Sequence, residues 1–111
     1  MRIYGLKNCD TCRKATKAVA AQGLEAVFVD VRTDGVPPED LARFYAKFGD
    51  ELVNRRSTTW RGLGDELRQA DPLTLLSDHP ALMKRPVIDR DGMLFLGWGK
   101  DVQAVILGQA A

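Results

Sequence analysis

The chain has 111 residues, of which 45% are hydrophobic and 28% are charged. This is ordinary usage for a globular protein and excludes collagen-like, disordered and coiled-coil chains. The length predicts one domain spanning residues 1–111. The 16 Lys and Arg residues nearly balance the 15 Asp and Glu residues, for a formal charge of +1. The overall basic character of nucleic-acid-binding proteins is therefore absent, and nucleic acid is not an expected partner.

The chain shows no sign of a membrane or secretory segment. No apolar run approaches the roughly 20 residues that a membrane-spanning helix needs. Residues 1–5 include one basic residue and no long apolar stretch, which is not the pattern of a signal peptide. We therefore predict a cytoplasmic protein with no membrane partner.

Residues 1–31 predict a strand–helix–strand unit. Residues 1–6 are rich in strand-forming side chains, and Gly5 with Lys7 and Asn8 is expected to end this strand. Residues 10–23 carry apolar side chains at helical spacing, and a glycine ends the run. Residues 26–31 form a nearly continuous apolar run, as expected for a strand covered on both faces. Such a unit implies two parallel strands joined by a right-handed crossover.

A helical insertion is predicted at about residues 37–80. It opens with two prolines and two acidic residues, a typical helix start. Apolar side chains then follow at helical spacing: Leu41, Phe44, Tyr45 and Phe48. The polar residues 54–59 are expected to form a loop, and Trp60, Leu63 and Leu67 indicate a further helix that glycines weaken. Asp71 and Pro72 predict the N-cap and first turn of a short helix over residues 73–77.

The end of the chain returns to strands. Residues 86–89 and 93–96 flank an Asp-Gly pair, which favours an antiparallel hairpin. Val102, Val105 and Ile106 indicate a final amphipathic helix that ends at Gly108. The elements together predict an α/β protein built from a βαβ unit, a helical insertion, a β-hairpin and a C-terminal helix.

The spacing of the two cysteines is the first functional signal. Cys9 and Cys12 form a C-x-x-C pair at the start of the first predicted helix, a recognised redox pattern beside a βαβ unit. Unpaired backbone N–H groups there favour a thiolate, so we expect a lowered pKa for Cys9, with help from Lys7 and Arg13. Cys12, one turn further on, is placed to resolve a mixed disulfide formed at Cys9. That step leaves a redox-active Cys9–Cys12 disulfide.

Two other interpretations of the cysteines stay open. The pair resembles half of a zinc site, but structural zinc takes four ligands and His79 is the only histidine, so no metal is expected. The thiols are alternatively inert core residues, since free cysteine is often buried. This suits Cys12, on the apolar helix face, better than Cys9, which lies in a polar turn between Asn8 and Asp10.

The second functional signal is a set of arginines. A proline after Arg85 opens a strand, and the peptide bond before Pro86 is either cis or an ordinary trans bond. The forked guanidinium groups of Arg55, Arg56 and Arg85 suit an anionic substrate or the carboxylates of glutathione. Each of them is alternatively a solvated surface residue. His79, next to a proline, is interpreted as a helix-end or surface histidine rather than a catalytic base.

Three segments resemble the arsenate-reductase-like family, which includes ArsC, Spx-type and YffB-like proteins. They are YGLKNCDTCRKA at 4–15, NRRSTTWR at 54–61 and HPALMKRP at 79–86. The segments occur in the family's order and cover essentially the whole chain, and they are most similar to the YffB-like branch. The resemblance implies a thioredoxin-like fold with a four-stranded mixed sheet, a helical insertion, and a cis Pro86 facing the active cysteine.

The resemblance also implies residue roles. Cys9 matches the nucleophilic cysteine, and Arg13 matches the arginine of the family's C-x-x-x-R motif. Arg85 matches the arginine that binds oxyanion in true arsenate reductases, and Arg56 matches a middle-loop arginine of the YffB-like branch. Trp98 stands where true arsenate reductases carry a further arginine, which implies weaker arsenate binding.

Three functions follow as hypotheses. The first is a glutathione-dependent thiol–disulfide oxidoreductase acting on a small thiol adduct or mixed disulfide, with no bound cofactor and glutathione as co-substrate. Its reductant is glutathione or a glutaredoxin- or thioredoxin-type protein. The second is an arsenate reductase using glutathione and glutaredoxin, in which Arg85 holds the oxyanion. The third is a redox-sensing regulator that binds RNA polymerase, because CRKA at 12–15 completes a motif similar to the redox switch of Spx-type proteins.

Overall fold

Four strands form one mixed sheet in the computed structural model, which describes residues 1–108. They are β1 (Arg2–Gly5), β2 (Val27–Asp30), β3 (Val87–Arg90) and β4 (Met93–Leu96), in the order β2-β1-β3-β4. Strand β1 runs parallel to β2 and antiparallel to β3, and β3 and β4 are antiparallel. The predicted α/β class, the parallel βαβ pair and the antiparallel hairpin are confirmed.

The helices occupy the predicted places. They are α1 (Asp10–Ala21), α2 (Pro38–Phe48), α3 (Thr58–Arg61), α4 (Asp65–Arg68), α5 (Pro72–Asp78) and α6 (Lys100–Ile106), with short 3₁₀ turns at Gly49–Leu52 and Pro80–Leu82. None of the helices within residues 1–108 has the length and apolar character needed to cross a membrane.

The chain divides into two compact units. The first comprises Met1–Asp30 together with the described residues from Arg85 onward, and it holds the sheet, α1 and α6. The second is Val31–Lys84, and it holds helices α2 to α5, so the helical insertion predicted at about 37–80 falls within it. The single-domain interpretation of residues 1–111 stays a prediction, and residues 109–111 lie outside the described residues.

The core of the first unit is built by the sheet and two helices. Its buried members come from β1, α1, β3 and α6: Ile3, Val19, Ile88, Val102 and Ile106. The expectation that Val105 shares this apolar face was wrong, because its side chain is 52% exposed. Val102 and Ile106 are four residues apart and lie one above the other on the helix, whereas Val105 lies at the edge of that stripe.

Strand β2 differs from its prediction. It lies at one edge of the sheet, and Val27 is 62% exposed while Phe28 and Val29 are half-buried. The expectation of a strand covered on both faces was therefore wrong. A continuous apolar run indicates a strand, but the place of that strand in the sheet depends on pairings with distant segments.

The hairpin turn has the conformation that its sequence favours. Asp91 and Gly92 have φ values of 53° and 90°. Both central residues therefore lie in the left-handed region that a two-residue turn of the right twist requires, and Asp-Gly is a preferred pair there. The Asp89 carboxylate also accepts a hydrogen bond from the Gly92 N–H at 3.0 Å.

In the second unit, one predicted helix boundary was wrong and another is confirmed. The helix expected around Trp60 is two short helices, and α3 begins inside the predicted loop because Ser57 Oγ accepts a hydrogen bond from the Trp60 N–H at 3.1 Å. The side chain of Asp71 caps α5 as predicted, accepting from the Thr74 N–H at 3.2 Å. A side-chain cap of this kind satisfies a backbone donor that a helix start otherwise leaves unpaired.

Candidate active site

Cys9 lies at the N-cap of α1, directly after the β1–α1 turn. Its backbone is extended, with φ −93° and ψ 119°, and its N–H donates to the Leu6 carbonyl at 3.1 Å. Its carbonyl accepts the first helical hydrogen bond, from the Arg13 N–H at 3.0 Å. These bonds fix the half-buried Cys9 side chain beside the first turn of the helix, where the backbone N–H groups favour negative charge.

Cys12 is fully buried, and Gly5 makes room for it. A Cβ atom added at Gly5 would collide with Cys12 Sγ and would lie 3.2 Å from Cys12 Cβ and 3.5 Å from Phe28 Cε2. Gly5 is the last residue of β1 and pairs with Asp30, and a turn follows at Lys7 and Asn8, so the predicted end of the strand is confirmed. A glycine inside a strand often marks a close approach of another group, and this is the sequence signal that could have revealed its role.

The pKa of Cys9 lies below its ordinary value. Burial of the sulfur opposes ionisation, but the N–H and the thiol of Cys12 and the guanidinium of Arg85 outweigh that cost. Each of the three stabilises the charged form, by hydrogen bonding or by opposite charge. The predicted thiolate preference of Cys9 is thus supported, but its cation is Arg85, and the expected help from Lys7 and Arg13 is not what lowers this pKa.

The pKa of the Cys12 thiol is raised, to about 11. Burial is the largest cause, and the neighbouring Cys9 sulfur adds to it because a second negative charge beside the first is unfavourable. Both cysteines are free thiols in the structure. At neutral pH the arrangement therefore holds one thiolate-prone sulfur next to one protonated sulfur.

Arg85 brings a guanidinium to this site, and Pro86 follows it in the chain. The Arg85–Pro86 peptide bond is cis, as the family resemblance implies. Pro86 is buried, and its carbonyl accepts a hydrogen bond from the Gly97 N–H at 2.8 Å, which ties the start of β3 to the end of β4. The Arg85 Nε atom is buried, and its guanidinium interacts with the Cys9 sulfur. The fold thus brings Arg85 to Cys9 from far along the chain.

Arg13 lies on α1 and faces outward. Its Nη2 is 3.0 Å from the Asp10 carboxylate, and the two side chains are 62% and 86% exposed. A pair this exposed interacts weakly, because water screens it. The role of Arg13 in anion binding, implied by the resemblance, stays a prediction.

Arg55 and Arg56 belong to the second unit. Arg55 stacks 5.3 Å from the Trp60 ring and lies 3.8 Å from the Asp50 carboxylate. The exposed Arg56 donates its backbone N–H to Asn54 Oδ1 at 3.1 Å. Both arginines line a cavity of about 460 Å³ within this unit. The substrate-binding role of Arg56 stays a prediction.

The remaining residues singled out from the sequence have structural positions. His79 is the C-cap of α5, as expected for a helix-end histidine. Trp98, which stands in place of a family arginine, packs its ring against the core of the first unit. Among residues 1–108, no group of three or more His, Cys, Asp or Glu side chains is arranged to hold a metal ion.

Comparison with known sequences gives one family and several relatives. A sequence model of the ArsC family matches residues 4–105. An uncharacterized protein of Haemophilus influenzae is 41% identical over 108 residues, covering 92% of this chain and 95% of the relative. The global transcriptional regulator Spx 2 of Bacillus cereus is 23% identical over 105 residues, covering 89% of this chain and 80% of the regulator.

Comparison with solved structures agrees with the sequence matches. A YFFB protein superposes with a TM-score of 0.87 at 30% identity, covering 96% of this chain and 97% of that one. An arsenate reductase (ArsC) related protein of Brucella melitensis gives a TM-score of 0.71 at 35% identity, covering 94% and 91%. The resemblance drawn from the three sequence segments, and the thioredoxin-like fold class that it implied, are confirmed.

Proposed function

The chain belongs to the ArsC family, and on that premise we propose that it is a thiol–disulfide oxidoreductase with glutathione as co-substrate. Cys9 is the nucleophile and Cys12 is the resolving thiol. The observation that carries the proposal is the opposed pKa shift of two thiols one helical turn apart, the pKa of Cys9 lowered and that of Cys12 raised to about 11. The attacking cysteine must be a thiolate at neutral pH, whereas the resolving cysteine should stay protonated until the mixed disulfide has formed.

In the first step, the Cys9 thiolate attacks one sulfur of a mixed disulfide R–S–S–R′. A Cys9–S–S–R bond forms, the S–S bond of the substrate breaks, and R′–S⁻ leaves. Arg85 favours the attacking thiolate by its charge and its hydrogen bond.

In the second step, Cys12 attacks the Cys9 sulfur. Part of the raised pKa of Cys12 comes from the charged Cys9 sulfur, and that charge disappears once Cys9 is in a mixed disulfide. The pKa of Cys12 then falls, its thiolate attacks, R–S⁻ leaves, and a Cys9–Cys12 disulfide forms. Two glutathione molecules reduce this disulfide and become glutathione disulfide. Loss of the charge on Cys9 therefore favours ionisation of Cys12 only after the attack by Cys9 has taken place.

The test is the rate of Cys9 alkylation against pH, in the wild-type protein and in Cys12→Ser. Mass spectrometry after treatment with glutathione disulfide then identifies which disulfide each protein forms. We expect rapid alkylation of Cys9 at neutral pH in both proteins. Glutathione should stay bound to Cys9 in Cys12→Ser, whereas the wild type should show the intramolecular disulfide, because only the wild type holds a resolving thiol.

Cys9→Ser is the matched control. It should abolish both alkylation at this site and reduction of a glutathione mixed disulfide. Unchanged reduction by Cys9→Ser would refute the assignment of the nucleophile. Efficient turnover with a thioredoxin-type dithiol protein, and none with glutathione, would refute the choice of co-substrate while leaving the two cysteine roles intact.

Arsenate reduction is a second candidate, favoured by the guanidinium of Arg85 beside the Cys9 sulfur. A forked cation next to a thiolate suits an oxyanion that the thiolate attacks. Turnover of arsenate with glutathione and glutaredoxin tests it. If Arg85→Ala leaves that turnover unchanged, Arg85 does not hold the oxyanion.

A redox-sensing regulator that binds RNA polymerase is a third candidate, favoured by the match to the Spx 2 regulator together with the C-x-x-C pair. Capture of purified RNA polymerase on the immobilised protein, under reducing and oxidising conditions, tests it. Binding in one redox state only would support this function. Absence of binding in both states would exclude it.

A further inference from the structure

The first unit carries an apolar groove that the cysteine chemistry does not use. The groove lies between α1, the β1–α1 turn and strand β2, and its volume is about 380 Å³. Its floor is formed by the side chains of Leu6, Ala20 and Phe28. The volume lies within the range of about 300–1,000 Å³ that small-molecule sites occupy.

Three cationic residues contribute to the groove, and they line it almost entirely through the carbon atoms of their side chains. Lys7, Arg13 and Lys17 line it alongside the apolar floor. Arg13 is partly neutralised by Asp10 at 3.0 Å, so the two lysines are the main source of positive charge. An apolar floor beneath cationic side chains is complementary to a molecule with an apolar body and an anionic group.

The groove begins at the turn that carries the nucleophile. Lys7 precedes Cys9 by two residues, and the Arg13 N–H bonds to the Cys9 carbonyl at 3.0 Å. From Arg13 to Ala20 the groove follows α1 for about 10 Å, at 1.5 Å per residue. The end of the groove at Arg13 therefore lies one helical turn along α1 from Cys9.

We propose that this groove binds the apolar, anionic half of the disulfide that Cys9 attacks, an aryl or alkyl carboxylate attached to sulfur. The inference rests on the proposed thiol–disulfide function and names its substrate class. Glutathione does not suit the groove, because its two carboxylates and ammonium leave no apolar body for the floor. A protein partner would require about 800 Å² of contact surface, far more than this groove offers.

The chemical step has a simple probe, 5,5′-dithiobis(2-nitrobenzoate). The Cys9 thiolate attacks one sulfur and forms a mixed disulfide with one nitrobenzoate half, and the other half leaves as a coloured thiolate. The neutral 4,4′-dithiodipyridine undergoes the same exchange without a carboxylate. We expect Lys17→Glu to slow the first reaction about fivefold more than the second, because only the first reagent carries charge.

Lys14→Glu is the matched control, since Lys14 lies exposed on the same helix and outside the groove. It should slow the charged reagent by less than about twofold, the effect of a screened surface charge. An equal effect of the two substitutions would show that overall charge, not the groove, selects the reagent. That result would overturn the proposal.

Binding without chemistry separates this inference from the proposed function. In Cys9→Ser, naphthalene-2-carboxylate should shift the NMR signals of Leu6 and Phe28, and naphthalene-2-carboxamide should bind about fivefold more weakly. Ala20→Trp should fill the groove and abolish binding, whereas Ala21→Trp, at an exposed position outside it, should not.

Failure of the groove proposal and failure of the proposed thiol function give different results. Absent binding in Cys9→Ser, with Cys9 still reactive in the wild type, overturns the groove and leaves the thiol function standing. Binding of the naphthoate with an unreactive Cys9 in the wild type overturns the proposed function, and with it the assignment of the ligand as a disulfide substrate.

Discussion

The turn around Cys9 and the segment from Asp50 to Asp71 are both rich in ionisable side chains, and they use them in opposite ways. At the turn, the buried Cys12 and the guanidinium of Arg85 change the ionisation of Cys9. In the second unit, the exposed Arg55 lies 3.8 Å from an exposed Asp50 carboxylate. Burial makes the difference, because water screens exposed charges and leaves them a small effect on each other.

The two regions also differ in how they begin a helix. Asp71 caps α5 with a carboxylate that accepts the Thr74 N–H at 3.2 Å, so its side chain serves stability. Cys9 occupies the same position on α1, where the helix start favours the charged form of its thiol. The same local geometry thus supports stability in one unit and ionisation of a thiol in the other.

The largest effect is expected at Gly5. Gly5→Ala should lower the free energy of unfolding by about 1–3 kcal/mol, because the added Cβ collides with the buried Cys12 and a packed core resists overpacking. Chemical denaturation measures it. The control is Gly62→Ala in the second unit, where the new Cβ would meet the Thr58 carbonyl at an ordinary 3.5 Å. Equal losses in the two variants would contradict the close packing assigned to the turn.

A smaller effect separates buried from exposed arginines. Arg85→Ala should slow Cys9 alkylation about tenfold near neutral pH, because loss of a neighbouring positive charge raises the pKa of the thiol. The alkylation rate falls as the pH drops through that pKa, so the midpoint of the pH profile should move upward. Arg13→Gln removes an exposed guanidinium and should leave the midpoint in place. A shifted midpoint in Arg13→Gln alone would reverse the assignment.

The two helix caps provide a third comparison. Asp71→Ala should lower the free energy of unfolding by about 1 kcal/mol, the usual loss of a side-chain cap. Cys9→Ser should leave it unchanged or raise it by a few tenths of a kcal/mol, since serine is a preferred N-cap residue. Thermal unfolding of both variants measures this. A loss at Cys9 as large as that at Asp71 would mean that the cysteine also stabilises the helix.

The smallest effects are expected for two ion pairs with the same spacing. Arg13 and Asp10 are 3.0 Å apart with both side chains exposed, and Arg43 and Asp40 are 2.9 Å apart with Asp40 only 16% exposed. Arg13→Gln should lower the free energy of unfolding by at most about 0.5 kcal/mol. Arg43→Gln should lower it more, because its partner is less solvated. Equal losses would show that burial of one partner does not strengthen the pair.

Much of the fold was predictable because the signals are local. Apolar spacing identified α1, α2 and α6, and an Asp-Gly pair identified the hairpin turn. The errors had two sources, a strand pairing between distant segments and a local side-chain cap that was not recognised. The apolar run at β2 did not reveal an edge strand, and the polar residues before Trp60 did not reveal that Ser57 caps α3.

The candidate site was only partly predictable for the same reason. The C-x-x-C spacing and its place at a helix start identified Cys9 and Cys12. From charge and proximity in sequence, Lys7 and Arg13 were the expected cations, yet Arg85 acts on Cys9. Gly5 was interpreted only as part of the end of β1, and its close contact with Cys12 was missed.

The sequence by itself determined the types of the elements, the order in which they follow and the position of both cysteines at one helix start. These features depend on interactions between residues close together in the chain. The spacing of apolar residues and the capping residues can therefore be read from the sequence. Only the tertiary structure decided that Arg85 reaches Cys9, that Cys12 is buried against Gly5 and that an apolar groove lies beside α1. Burial and charge–charge contact arise between segments far apart in sequence, and packing alone brings those segments together.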